Sequence, residues 1–147
     1  MPNAYSFQDV SATFSGPTGT VNLAYGAAPA KEGLTISPSG DQASMKVGAD
    51  GTAMHTLHAD RSGKVVARYL KVSPTNALLM AQFDAQRLSA GLTGQNIITV
   101  REIMSGDLTT CVNVAFAKKP DLVYDDDGPM MEWTFNCGHI DSILGAY

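Results

Sequence analysis

The sequence has few charged residues. Lys, Arg, Asp and Glu make up 16% of its 147 residues, whereas soluble domains typically carry about 25%. Apolar residues stand at an ordinary 44%, so much of the surface must be uncharged and polar. Because a small monomer normally relies on surface charge for solubility, this composition indicates a surface that partner subunits cover. The alternative is a polar, uncharged surface that stays free.

Basic clusters, long apolar runs and a secretion signal are also missing. The net charge is −4 and no Lys/Arg cluster occurs, which argues against a dedicated nucleic-acid binder. No stretch approaches the roughly 18 apolar residues of a membrane span. The opening residues Met1 to Tyr5 have neither a basic nor an apolar signal region, so we expect a chain that is made and kept in the cytoplasm.

The two cysteines lie in separate apolar runs. Cys111 and Cys137 lack the C-x-x-C spacing of metal or redox motifs. We interpret them as buried thiols, with a disulfide or a metal site as the alternative.

No group of residues has the pattern of a catalytic or metal site. His55 and His58 fall on opposite faces of a predicted strand, and His139 near Cys137 has no acidic partner at ligand spacing. We therefore expect a protein that is not an enzyme and has no cofactor.

The densest charged run is Asp125-Asp126-Asp127-Gly128. It lacks the alternating spacing and terminal Glu of a calcium loop. We interpret it as a solvated loop. If copies were arranged in a ring, it would instead create a strongly negative zone that repels DNA or recruits a basic partner.

Short β-type segments separated by turn residues dominate the chain, as is typical of a sandwich or barrel. An Ala/Gly/Pro-rich stretch at 26–31 predicts a flexible loop. The predicted strands cover residues 5–14, 20–25, 33–37, 44–47, 54–58, 65–72, 96–104, 109–116 and 131–137. Of these, 65–72 is predicted to be a central strand because it is rich in β-branched and aromatic residues.

A projecting hairpin is predicted between 44 and 58. Its turn is Gly48-Ala49-Asp50-Gly51-Thr52, in which the Asp-Gly pair readily supplies the positive φ angles of a tight turn.

One helix is predicted after residue 72. Ser73 is suited to the N-cap, Pro74 to the first helical position, and Gly91 to the C-terminal end. Its predicted apolar face consists of Ala77, Leu78, Ala81, Ala85 and Leu88.

The last two strands alternate between apolar and small polar residues. In 109–116 the predicted apolar face is Val112, Val114 and Phe116, opposite Thr109, Cys111 and Asn113. In 131–137 it is Met131, Trp133, Phe135 and Cys137, opposite Glu132, Thr134 and Asn136. The polar faces could face bulk water or a wet channel.

Along its whole length the sequence resembles the tail tube proteins of contractile-tailed bacteriophages. The segments that carry the resemblance are YSFQDV (5–10), GADG (48–51), MHTLHA (54–59), KVSPTNA (71–77), GQN (94–96), GD (106–107), EWTF (132–135) and ILG (143–145). Each is an ordinary turn or strand fragment, and it is their order and spacing that make the resemblance specific.

The resemblance implies a mainly β fold, a β-sandwich or half-barrel with one flanking helix and a projecting hairpin, in a single tail tube domain at 1–147. It also implies a structural virion protein: six copies close into a ring, and rings stack into the inner tube of a phage tail. Genome DNA would pass through this tube without specific binding. Its partners would be further copies, the tail sheath protein, and baseplate and tail terminator proteins, with assembly in the host cytoplasm and no membrane.

Two sets of residues are candidates for roles in such a tube. Gly48, Ala49, Asp50, Gly51 and Thr52 would reach the neighbouring ring. Residues that would face the lumen or the sheath are Asn113, Asp125, Asp126, Asp127, Glu132, Thr134 and Asn136.

Other functions fit parts of the sequence. The chain could be the tube protein of a phage-tail-like bacteriocin or injection machine, or a baseplate protein that initiates the tube. From a different class, a carbohydrate-binding β-sandwich would need exposed aromatic residues together on one strand face, whereas the five tyrosines are scattered.

Overall fold

The computed structural model describes residues 4–24 and 29–146, with the backbone alone at 29–32. The predictions for Tyr25 and for residues 26–28 lie outside this part, whereas the loop predicted at 29–31 is wrong because the backbone there is the start of a strand. The elements are β1 (Val10–Gly16), β2 (Gly19–Asn22), β3 (Pro29–Pro38), β4 (Ala43–Val47), β5 (Ala53–Leu57), β6 (Gly63–Leu70), α1 (Pro74–Gln86), β7 (Asn96–Glu102), β8 (Leu108–Lys118) and β9 (Met130–Ile143). Short 3₁₀ turns cover Phe7–Asp9 and Ala90–Leu92.

Seven strands form one antiparallel sheet in the order β2-β1-β7-β8-β9-β6-β3. Leu34 and Ile36 of β3 line a cleft with Val10 of β1 and Val100 of β7, so the two sides of the sheet curl toward each other. The mainly β prediction is confirmed, in the form of an open half-barrel. The 65–72 strand, β6, is paired on both sides but lies next to the edge, and β8 occupies the middle.

The core fills the concave face of this sheet. Phe116 is at the centre of an aromatic cluster, with ring centroids 5.4 Å from Phe14, 5.1 Å from Phe135 and 5.9 Å from Trp133. Helix α1 covers the cluster through Phe83, whose ring meets Phe116 edge-on at 5.5 Å. The predicted apolar face of the last strand is confirmed, since its four residues are at most 4% exposed.

The start of α1 agrees with the prediction, but its buried face and its end do not. Ser73 caps the helix by accepting a hydrogen bond from Thr75 N, and Pro74 is its first residue. The helix ends at Gln86, and Gly91 lies in the following 3₁₀ turn. The face toward the sheet consists of Thr75, Asn76, Leu79, Gln82, Phe83 and Gln86. The predicted apolar face points outward, with Leu78 54% and Leu88 86% exposed.

The first predicted strand begins later than expected. Residues 7–9 form a 3₁₀ turn, capped by Ser6 Oγ accepting from Gln8 N, and extended pairing starts at Val10. Here the Ser6 side chain accepts a backbone hydrogen bond locally, in place of hydrogen bonds to a neighbouring strand.

The prediction of strict alternation in the 109–116 strand is wrong. Cys111 and Val114 are both fully buried, three positions apart, because Asn113 takes a left-handed conformation with φ +53°. The register between β7 and β8 shifts across this point, as in a β-bulge. Gly138 of β9 lies opposite, where an added Cβ would come within 2.9 Å of Asn113 Cβ. The bulge thus returns Cys111 to the core and leaves Asn113 exposed.

Candidate assembly surfaces

The predicted hairpin is present and stands apart from the main sheet. Strands β4 and β5 pair only with each other among the described strands, from Ala43↔Leu57 to Val47↔Ala53. The turn is closed by Gly48 N donating to Thr52 O at 2.7 Å, and Gly51 has φ +89°. Asp50 Oδ1 accepts from Thr52 N at 3.0 Å, and hydrogen bonds from the Thr52 backbone and hydroxyl lower the pKa of Asp50.

The two faces of this hairpin differ in polarity. All ten strand residues are exposed. Directly paired residues share a face, so one face consists of Ala43, Met45, Val47, Ala53, His55 and Leu57, and the other of Ser44, Lys46, Met54 and Thr56. On the first face Met45, Val47 and Leu57 are 56%, 61% and 87% exposed. The hairpin therefore carries an apolar face that its own chain leaves uncovered.

The convex face of the main sheet is mainly polar. Glu132 and Asn136 are exposed and Thr134 is half-buried on β9, as their alternation predicts. The neighbouring strands add many short polar side chains, and the register places on this face Ser11, Thr13, Ser15, Thr20, Asn22, Thr35, Ser37, Thr99 and Thr110. The same face also carries the exposed cations Lys64 and Arg101 and the partly exposed apolar residues Ile97, Leu108 and Met130.

Charge on the convex face is sparse and partly paired. Arg68 donates to Glu132 Oε2 at 3.2 Å and to Thr35 Oγ1 at 3.1 Å. Farther along β9, Asp141 bridges Arg61 at 3.1 Å and His139 at 2.9 Å. These surface contacts contribute little to stability, but Arg68 and Arg61 each neutralise a carboxylate locally.

The acidic run follows a loop segment that borders the convex face, where Asp121 and Val123 share a pocket with Met130 and Glu132. Asp125, Asp126 and Asp127 are exposed in the loop between β8 and β9, and Asp127 N donates to Asp125 Oδ1 at 3.2 Å. Just before them, the ring of Tyr124 lies 5.2 Å from Lys71 Nζ. Lys71 follows β6, two strands from β8 in the sheet order, so the loop carries the aspartates across the end of the sheet.

A basic cleft at the end of α1 was not predicted from the sequence. It has a volume of about 440 Å³, an aromatic floor of Phe83 and Phe116, and cations from Arg87, Lys118 and Lys119. The Arg87 guanidinium and Lys119 Nζ lie 5.6 and 5.8 Å from the Phe83 ring centroid. The adjacent pair Lys118-Lys119 was its only signal in the sequence, since Arg87 joins it through the tertiary fold.

The cysteines are free, and both thiols are buried, as predicted. A hydrogen bond between them, together with burial, raises the pKa of Cys137. Within 4–24 and 29–146, no three His, Cys, Asp or Glu side chains gather as metal ligands. No described helix is long and apolar enough to cross a membrane.

Solved structures with a similar fold include chains of the anti-feeding prophage and of an extracellular contractile injection system. A chain in the tube-terminating cap of the anti-feeding prophage matches with a TM-score of 0.61 at 10% identity, covering 99% of this chain and 94% of that chain. A chain in the sheath/tube terminator of the extracellular PVC system matches at 0.63 and 12% identity, covering 97% and 99%. A chain in the sheath–tube complex of the PVC system matches at 0.59 and 10%, covering 98% and 94%. The protein thus has a tail-tube-like fold.

No curated protein sequence matches this chain. The family model described as bacteriophage PhiTE tail tube protein matches residues 2–145, and the chain belongs to that family. This family is one of phage tail tube proteins, as the sequence resemblance implied.

Proposed function

We propose that six copies of this protein close into a ring and that the rings stack into the inner tube of a contractile phage tail, through which genome DNA is ejected. One observation carries the proposal: a detached hairpin has an uncovered apolar face, on a chain that belongs to a tail tube family. A soluble monomer rarely keeps such a face exposed, because burying it against a partner is favourable.

Ring closure uses the two sides of the half-barrel. In the described sheet, β2 and β3 are the outermost strands and each pairs on one side. Unpaired strand edges promote uncontrolled association unless another strand or chain covers them. A closed ring brings one edge of each copy beside the other edge of its neighbour, and so leaves no edge free.

Stacking uses the hairpin. Gly48 to Thr52 extend beyond the main sheet, and the apolar face with Met45, Val47 and Leu57 packs on a copy in the adjacent ring. For stacking, the hairpin tip contributes only the shape of its turn. Asp50 and Gly51 therefore act by holding the two strands together.

The convex face lines the channel. Asn113, Glu132, Thr134 and Asn136 then face passing DNA from a surface mostly of short polar side chains. Arg68 on this surface is neutralised by Glu132, and among the described residues Lys64 and Arg101 are isolated cations. Tight nucleic-acid binding requires many unpaired cations along the phosphate path. A face of this composition lets the duplex slide without specific contacts.

The outward side of the ring is then the side of α1, where the tail sheath protein docks, while baseplate and tail terminator proteins hold the two ends. Assembly takes place in the cytoplasm of the bacterial host. The domain spans 1–147, and the protein acts without catalysis or a cofactor.

The first test is the assembly state of the purified chain. Light scattering after size exclusion gives its mass, and negative-stain electron microscopy shows its shape. Rings or hollow tubes of repeating subunits support the proposal. A stable monomer at high concentration contradicts it, and favours a baseplate initiator or a terminator that needs a partner to assemble.

Hairpin variants separate ring formation from stacking. Deleting 49–52, or replacing Met45 and Leu57 by Ser, is expected to leave rings but to shorten or abolish tubes, because the apolar contact between rings is lost. The matched control replaces Ser44 and Thr56 by Ala on the opposite face and is expected to keep full tube length. Unchanged tube length in the deletion variant would rule out the stacking role.

A further inference from the structure

The basic cleft and the acidic loop carry opposite, largely uncompensated charge. Arg87 and Lys119 make no ion pair within the described part of the chain, and Lys118 meets only Asp121, at 3.9 Å between exposed atoms. The carboxylates of Asp125 to Asp127 likewise have no cationic partner there, and their contacts stay within the loop.

The loop and the cleft also match in their apolar parts. Leu122, Val123 and Tyr124 precede the aspartates and are 57%, 47% and 77% exposed. The cleft offers the rings of Phe83 and Phe116 beneath its three cations and has room for several side chains in its 440 Å³. Both surfaces therefore combine an apolar patch with a charged rim.

The loop starts beside the cleft of its own chain but does not line it beyond Lys119. Tyr124 rests against Lys71 at the end of β6, whereas the cleft lies between α1 and the end of β8, toward Thr93. Neighbouring strands are about 4.8 Å apart, and β9 separates β8 from β6. Tyr124, which directly precedes the aspartates, thus lies two strands away from β8, the strand that borders the cleft.

We propose that the Asp125–Asp127 loop of one copy docks into the Phe83–Arg87–Lys118–Lys119 cleft of the next. The contact is head-to-tail, because it joins two different surfaces, and such contacts generate rings or open filaments rather than closed dimers. Charge complementarity fixes the direction and register of association. This inference rests on the proposed ring, and it assigns the acidic run to contacts between copies and not to the lumen or the sheath.

Charge reversal tests the pairing. One variant carries Lys118→Glu and Lys119→Glu, and a second carries Asp125→Lys, Asp126→Lys and Asp127→Lys. Each alone is expected to need at least roughly tenfold more protein to assemble, because like charges then meet at every contact. Light scattering against concentration measures this threshold, and thermal unfolding verifies that each variant is folded.

Mixing the two variants gives the decisive result. In an equimolar mixture, each acidic loop meets an unaltered cleft and each basic loop meets an acidic cleft, so alternating copies are expected to assemble at nearly the original threshold. The matched control, Lys64→Glu with Arg101→Glu, changes the net charge equally on the convex face and is expected to assemble like the unaltered chain.

The outcomes separate the two proposals. If the unaltered chain forms no rings, the proposed function fails. If it forms rings and the reversed variants do so equally well, or if the mixture is not rescued, the loop-to-cleft contact is wrong while the ring stands. Rescue in the mixture but not in either variant alone establishes the contact.

Discussion

Among single residues, Asn96 and Gln86 form the most completely bonded buried pair. Their amides exchange two hydrogen bonds of 2.8 Å, Asn96 also donates to Val114 O at 3.0 Å, and Gln86 also donates to Thr18 Oγ1 at 3.1 Å. Both are at most 4% exposed. A Cβ on Gly16 would collide with Asn96 Oδ1, so that glycine makes room for the pair. This network fixes the end of α1 against β7 and β8.

Asn96→Ala is expected to lower the free energy of unfolding by about 1–3 kcal/mol, because it leaves the buried Gln86 amide without its main partner. Urea unfolding followed by fluorescence of the single, buried Trp133 measures the change. Asn136→Ala on the exposed face is the control and is expected to stay within about 0.5 kcal/mol of the original.

A double variant distinguishes the amide pair from simple packing. Asn96→Leu with Gln86→Met removes both amides while keeping their approximate shape, and its loss is expected to be smaller than the sum of the two single losses. Additive losses would show that the amides act independently.

Residue patterns predicted β9 well and β8 poorly, for a physical reason. Trp133 and its apolar neighbours follow strict alternation, so their burial could be deduced from period two alone. The left-handed Asn113 breaks that period in β8. Asn tolerates this conformation better than most residues, but an Asn within a strand pattern does not show where a bulge will form.

Among the elements, the hairpin was predicted correctly because the residues that determine it are close together in the sequence. An Asp-Gly turn between two short β runs determines its own closure. The helix start was local in the same way, through Ser73 and Pro74. The buried face of the helix was not determined locally. The concave sheet packs against the face with Leu79 and Phe83, and the alanine-rich face is left outside.

The hairpin turn is expected to respond to acid through Asp50. Its pKa is lowered in the folded turn from an ordinary 3.8, so its contribution to the turn is present above that value and is lost as pH falls through the lower, folded pKa. An NMR titration of the Asp50 carboxyl should therefore give a midpoint below 3.8. Thr52→Ala, which removes the hydroxyl donor but keeps the backbone donor, should move the midpoint part of the way back. A midpoint at or above 3.8 in the unaltered chain would contradict the turn geometry.

For the molecule as a whole, composition anticipated the exposed surfaces but not their arrangement. The shortage of charge indicated covered surfaces, and the structure has uncovered apolar side chains on the hairpin, on α1 and in the β8–β9 loop. The sheet order, which places β8 in the middle and β2 and β3 at the edges, depends on pairings far apart in sequence. The basic cleft could not be predicted for the same reason, since Arg87 and Lys119 meet at Phe83 only in the folded chain.

The channel-facing assignment makes a prediction that depends on the whole assembly. Cys111 and Cys137 are 0% and 3% exposed, so a single introduced cysteine is the main reactive thiol of the folded protein. Asn136→Cys on the convex face should react with a small maleimide both as free subunit and in tubes. A maleimide on a bulky polymer should label it in the free subunit but only poorly in tubes, because the reagent must enter through the tube ends. Ala81→Cys, on the exposed face of α1, is the matched control and should accept the bulky reagent in both states. Rapid bulky labelling of Asn136→Cys in intact tubes would place the convex face outside and require the channel to be lined by another surface.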